Sequence, residues 1–291
     1  MNLKTCIMTD STCYKEAGKV EKVGIVVHST GANNPYVSRY VQPLKTDKDY
    51  AAIIADIGLN KYGTDFNHMY YETGLTAFIG KNAFDQVVTY QVLPEDHVCW
   101  GVGRGNLVLA GSTYYSDTSL TKPVGKTAEG LRIKQAFTGY SSVVISGKTY
   151  YVSTYSRASY NYYPYAHIQF EICEDGLDDP VYFNAAMKEA QEYCAYICKK
   201  YDWSADVVCS HAEAHARGYA INHADPDHWL AKYGKDMNWF RGEVSKLLGE
   251  PEKKVIYRVQ VGAFSVKPNA EAMAKKLRAA GYDTIIKSET V

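Results

Sequence analysis

Four of the eight histidines, His211, His215, His223 and His228, fall inside an 18-residue window that also holds Asp225. A lone loop histidine is usually a capped or solvated side chain, but four so close together argue for metal ligation. A borderline ion such as Zn²⁺ takes imidazole and carboxylate ligands tetrahedrally, and a catalytic site uses three protein ligands and keeps the fourth position open. His28 closes the apolar run Val23-Gly24-Ile25-Val26-Val27, and His211 follows the run Val207-Val208-Cys209. Two adjacent strands can therefore present both rings at one sheet edge, with Asp225 added from a loop. His211 and His215 also lie one helical turn apart, but Ala212-Glu213-Ala214 between them lacks the Glu-X-X spacing of a zincin helix.

The elements that must position these residues follow from apolar periodicity. Residues 22–28 read as a buried strand and residues 46–60 as a helix. Thr76 to Ile79 and Val87 to Leu93 read as strands joined by the turn from Gly80 to Asp85. His167 to Ile172 alternates polar and apolar, so Glu171 shares a face with His167 and Gln169. Asn184 to Tyr201 has apolar residues at helical spacing and no Gly or Pro, which predicts a helix of about five turns. Helices are also expected over Ala212 to Tyr219 and over Asp236 to Leu248, the latter stopped by Gly249 and Pro251. Gly101 to Tyr165 differs in kind: it holds ten of the 26 tyrosines in short Tyr/Val/Thr runs and reads as inserted material rich in hairpins.

Composition narrows the function classes. With 46% apolar and 22% charged residues among 291, the chain must be globular, and its length suits one large domain and a small module. The 32 basic and 32 acidic residues balance, which argues against a nucleic-acid partner. No apolar run reaches a membrane span, and residues 1–19 lack a secretory core, so cytoplasmic synthesis without a signal peptide and no membrane partner are expected. Seven cysteines at irregular spacing, including Cys194 and Cys198, read as reduced, packed thiols. Residues 250–254 form a charged linker. Beyond it Tyr257 to Phe264, Asn269 to Ala280 and Thr284 to Lys287 read as a small β-α-β module with eight basic residues against four acidic from Glu252 onward.

The ordered set Gly24-Ile-Val-Val-His28-Ser-Thr-Gly, Gln91-Val-Leu-Pro94 leading to Trp100, Ile168-Gln-Phe-Glu171-Ile-Cys-Glu174, Ser210-His211 and Asn222-His223-Ala-Asp225-Pro226 resembles a known family. It is similar to the zinc-dependent N-acetylmuramoyl-L-alanine amidases of the amidase-2 type, relatives of the peptidoglycan-recognition proteins. Within them it looks most like endolysins of phages or prophages of clostridium-like hosts. The resemblance spans about residues 18 to 248 outside the insertion. It implies an α/β fold with a central mixed β-sheet flanked by helices, peptidoglycan as substrate, and Zn²⁺ held by His28, His211 and Asp225. It further implies that Glu171 is the catalytic carboxylate. His223 stands where many members carry a lysine that helps hold the oxyanion. Two departures stand out: Gly101 follows Trp100 where many members have a groove-facing histidine, and the tyrosine-rich stretch interrupts the path to Glu171.

The segment from Tyr257 resembles the first half of a SPOR domain, which implies binding to the glycan strand. The expected organisation is a catalytic domain over 1–249 with the 101–165 insertion, a linker over 250–254, and a partial SPOR-like module over 255–291. The tyrosine-rich stretch and the module's open strand edges both suit a homodimer. Wall lysis after release from the cell is the implied setting. The competing readings are a non-hydrolytic peptidoglycan-binding protein and a zinc peptidase that cuts the stem peptide.

Overall fold

Six strands form the central sheet of the computed structural model, which describes residues 1–67, 74–102, 166–217, 220–249 and 260–288, with the backbone of five short strands between 107 and 152. The first unit opens with β1 (Leu3–Thr5), α1 (Thr12–Glu16), β2 (Gly24–Ser29), α2 (Tyr50–Ile57), β3 (Ala77–Lys81) and β4 (Val87–Gln91). The inserted stretch contributes β5 (Leu107–Leu109), β6 (Gly125–Lys126), β7 (Arg132–Ile133), β8 (Ser142–Ile145) and β9 (Lys148–Val152), paired as β5-β9-β8 and β6-β7. Then come β10 (His167–Ile172), α3 (Pro180–Tyr201), β11 (Val208–Ser210), α4 (His211–Ala216), α5 (Asp227–Lys232) and α6 (Met237–Leu248).

The central sheet runs β1-β4-β3-β10-β2-β11, parallel throughout except where β3 meets β4. Parallel strands covered on both faces read as continuous apolar runs, which is why Ile25, Val26 and Val27 are all fully buried. On one face Ile25, Val27, Ile79, Phe170 and Ile172 pack with Phe183, Met187, Ala190 and Ile197 of α3 and Phe240 and Val244 of α6. On the other, Phe78, Val88 and Tyr90 pack with Met8, Val37, Val41, Ile57 and Phe66.

α3 begins where Asp179 accepts from the Val181 and Tyr182 backbone N–H groups with Pro180 next, and ends at Asp202 in the left-handed region. Cys194 and Cys198 lie on its buried face, and all seven cysteines are free and buried. α2 is shorter than the expected 46–60. Asp47 accepts from the Leu44 N–H in a turn before it, and Gly58, at φ +83°, closes it. No helix among the described residues is long and apolar enough to cross a membrane.

Residues 253–291 form the second unit, built on α7 (Lys267–Ala279). Among the described residues, the strands expected on either side are not formed. Residues 260–264 and 282–288 enter no ladder, while Tyr257 to Val259 lie outside the described residues. The physical reason is burial: α7 buries Ala274 alone, and Val261, Phe264, Tyr282, Ile285 and Ile286 stay exposed, so nothing holds two extended segments in register. The side chains of the tyrosine-rich stretch, and with them its expected role as a subunit interface, also lie outside the described residues.

Candidate metal centre

The C-terminal ends of β2, β10 and β11 meet at one edge of the sheet. β2 and β10 are in parallel register with Glu171 opposite His28, so strand alternation puts both side chains on the face away from α3. β11 ends at Ser210, which caps α4 through a reciprocal box: its Oγ accepts from the Glu213 N–H and the Glu213 carboxylate accepts from the Ser210 N–H. Arg241 of α6 holds that carboxylate with two hydrogen bonds of 2.7 and 2.9 Å. His211 is thereby fixed as the first residue of α4. Its backbone N–H donates to the Asp225 carbonyl at 3.1 Å, which ties the loop before α5 to the same place.

Three side chains converge there. His28 Nδ1 lies 3.2 Å from Asp225 Oδ2, His211 Nδ1 lies 3.5 Å from Asp225 Oδ1, and the two Nδ1 atoms are 3.0 Å apart. All three residues are buried. A tetrahedral ion with nitrogen and oxygen ligands at about 2.0–2.1 Å would need ligand atoms about 3.3–3.4 Å apart, so the set fits such an ion as it stands. The charge states fit as well. Burial holds the His28 pKa down despite the attraction of Asp225, which favours a neutral ring with a free lone pair. Burial works against ionisation of Asp225, but its close contacts with the His211 and His28 rings outweigh it and hold that carboxyl well below the usual range. Among the described residues, no other group of three such side chains is assembled in this way.

His223 stacks on His211 with ring centroids 4.6 Å apart and planes at 6°, and its Nδ1 is 3.5 Å from Asp225 Oδ1. Its side chain is 55% exposed, so it faces solvent over a buried centre. Glu171 is partly exposed, but its Oε2 is buried without a protein partner. Burial, then the nearby carboxylates of Asp225 and Glu174, push its pKa well above the ordinary value. The other two histidines of the window go elsewhere: His215 Nδ1 meets the Ala220 carbonyl at 3.0 Å, and His228 Nε2 meets Glu174 at 3.1 Å.

The N-acetylmuramoyl-L-alanine amidase family model, Amidase_2, matches residues 21–228, a span that includes His28, Glu171, His211, His223 and Asp225. The chain belongs to this amidase family. A second model, the SPOR domain, matches residues 253–291. Solved structures similar to the amidase include the hydrolase AmiA of Staphylococcus aureus, at 13% identity and TM-score 0.45 over 85% of this chain and 82% of that one. The PlyG catalytic domain is similar at 13% identity and TM-score 0.43 over 88% and 100% of the two chains. A mutant endolysin from Bacillus subtilis is similar at 15% identity and TM-score 0.41 over 84% and 99%. No curated protein matches the amidase in sequence.

Two features of the amidase's centre were not read from its sequence. Gly101 is a close approach: a Cβ there would meet Leu75 Cδ2 at 2.4 Å and Gln169 Oε1 at 2.6 Å, so a side chain after Trp100 would have to displace the ends of both. Ser29 and Glu174 bond each other beside the candidate ligands, and only their positions at the end of β2 and just beyond β10 hinted at it.

Proposed function

We propose that this amidase is zinc-dependent and hydrolyses the amide between the lactyl group of N-acetylmuramic acid and L-alanine, as a wall-lytic enzyme of the endolysin kind. What carries the reading is the buried convergence of His28, His211 and Asp225, whose ligand atoms all lie within 4.8 Å of one another. Held by these three side chains, zinc would supply Lewis acidity that polarises a carbonyl oxygen and brings the pKa of water toward about 7.

The chain's own groups do the rest. His28 offers a lone pair because burial keeps its ring neutral, and Asp225 offers a negative charge because its neighbours keep it ionised. Glu171 acts as the general base. Its raised pKa gives it more affinity for a proton than an ordinary carboxylate, and Oε2 has no protein donor competing for it. His223, oriented by its stack on His211, donates a hydrogen bond to the carbonyl oxygen as negative charge develops and hands a proton to the departing amine of L-alanine. The 253–291 unit serves attachment to the glycan strand.

Digestion of purified cell wall tests the bond cut. New L-alanine amino termini are expected. A new terminus within the stem peptide would make the protein a peptidase, and binding without release would make it a recognition protein. Elemental analysis should find zinc in stoichiometric amount. Deleting residues 251–291 should leave hydrolysis of a soluble muropeptide nearly intact and weaken retention on whole sacculi; equal retention would remove the attachment role.

A further inference from the structure

A second carboxylate, two residues past the end of β10, is buried beside the metal centre and is not part of the ligand set. Glu174 is 4% exposed, and a carboxyl group at that depth requires hydrogen-bond partners. It has two from different parts of the chain. Ser29 Oγ donates to Glu174 Oε1 at 2.5 Å, and His228 Nε2 lies 3.1 Å from the same oxygen. Its backbone is fixed as well, with its N–H donating to Thr30 Oγ1 at 3.1 Å and its carbonyl accepting from the Asn34 N–H at 2.8 Å.

Both partners adjoin ligands. Ser29 follows His28 directly, and its backbone N–H donates to Asp225 Oδ2 at 3.4 Å. His228 sits in the first turn of α5, whose backbone begins just after Asp225-Pro226, and its own N–H bonds the Ala224 carbonyl at 3.1 Å. The contacts therefore close a ring: Asp225 to Ser29, Ser29 to Glu174, Glu174 to His228, and back along the chain to Asp225. Among the described residues, the hydrogen bonds that join the strand delivering His28 to the loop delivering Asp225 are those of the His28 ring and the Ser29 N–H with the Asp225 carboxylate.

We propose that Glu174 and His228 form a positioning clamp that sets where Asp225 meets His28 and so tunes the metal affinity of the centre. Neither touches the reacting groups; each acts through a ligand-bearing segment. Partners behind a metal ligand change affinity or activity by about 10- to 100-fold when removed, and the clamp belongs in that range. This inference rests on the zinc reading above.

The test is zinc affinity of the full chain, measured by competition with a chromophoric chelator, alongside the melting temperature of the metal-free protein and the visible spectrum of the cobalt(II)-loaded protein. His228→Ala should weaken zinc binding about tenfold or more and shift the cobalt spectrum. It should lower kcat on a soluble muropeptide and leave KM near its starting value. His228→Gln, which keeps a donor near the Nε2 position, should restore most of the affinity. Ser29→Ala, a smaller change that removes only the other partner of Glu174, should weaken zinc in the same direction and serves if His228→Ala does not fold. If the variants lower the metal-free melting temperature but bind zinc as the wild type does, the pair is only structural and the clamp is wrong. Equal loss in His228→Ala and His228→Gln would also overturn it. A wild-type chain that takes up no zinc would sink the zinc reading together with the clamp, whereas tight wild-type binding with indifferent variants would sink the clamp alone.

Discussion

Each flank of the six-stranded sheet carries a carboxylate whose pKa is held below its ordinary value, and the two are built to opposite ends. At the β1–β4 flank, Asp56 of α2 accepts from Lys4 Nζ at 2.8 Å and Asn82 Nδ2 at 3.0 Å on one oxygen, and from Tyr90 OH at 2.5 Å on the other. Every donor there carries a fixed proton and every oxygen is used. At the β2–β11 flank, Asp225 faces rings whose Nδ1 atoms point at it and at each other, while Nε2 of both His28 and His211 and Oε2 of Glu171 are buried without a protein partner. A closed network of satisfied groups stiffens a fold. A network with surplus lone pairs around one anion is arranged for something the protein itself does not supply.

The comparison breaks most easily at the second flank. If the proposed zinc is bound, chelation or His211→Ala should reduce amide hydrolysis by about 10³-fold or more, because several kcal/mol of transition-state stabilisation would depend on the metal. Zinc should restore the chelated wild type but not the variant. Wall hydrolysis followed by amine release, with zinc content read in parallel, decides it, and an active metal-free protein would end the metal reading.

Glu171→Gln sharpens the comparison within that flank by separating ligand from base. Turnover should fall about 10²-fold while zinc stays bound. A variant that loses its zinc would make Glu171 a ligand and reassign the orphaned Oε2.

The smallest effect belongs to the closed flank. Asp56→Ala should cost about 1–2 kcal/mol of stability at neutral pH, discounted for the partial exposure of the pair with Lys4, and leave hydrolysis at 25 °C unchanged. Its pH dependence has a definite sign. Partial burial raises the Asp56 pKa, but the bonds from Lys4, Tyr90 and Asn82 outweigh it and lower it. Its contribution is therefore present above the unfolded value near about 4 and is lost as pH falls through the lower folded value. Acid unfolding of the wild type should show that loss, and the variant's curve should lack its share. An active-site defect in a well-folded Asp56→Ala would erase the distinction between the flanks.

The sequence by itself determined the parts whose signal is local. The unbroken apolar run into His28 requires a buried strand, and the helical spacing from Asn184 to Tyr201 gives most of α3, while the first turn, from Pro180 behind the Asp179 cap, was set by the structure. Since each apolar run ends where polar residues begin, His28 and His211 had to lie at strand ends. Tertiary structure alone decided which of four clustered histidines serve the centre. His211 and His215 look alike in sequence at one helical turn apart, but the first is aimed by the Ser210–Glu213 cap and the second is taken up by the Ala220 carbonyl. His228 is claimed by Glu174, a residue more than 50 positions away, and α5, six residues long, is too short to announce itself by periodicity. The segments around α7 show the same limit from the other side. Alternation makes 260–264 and 284–287 look like strands, but strand formation needs a partner's ladder and a buried face, neither of which a local pattern can provide.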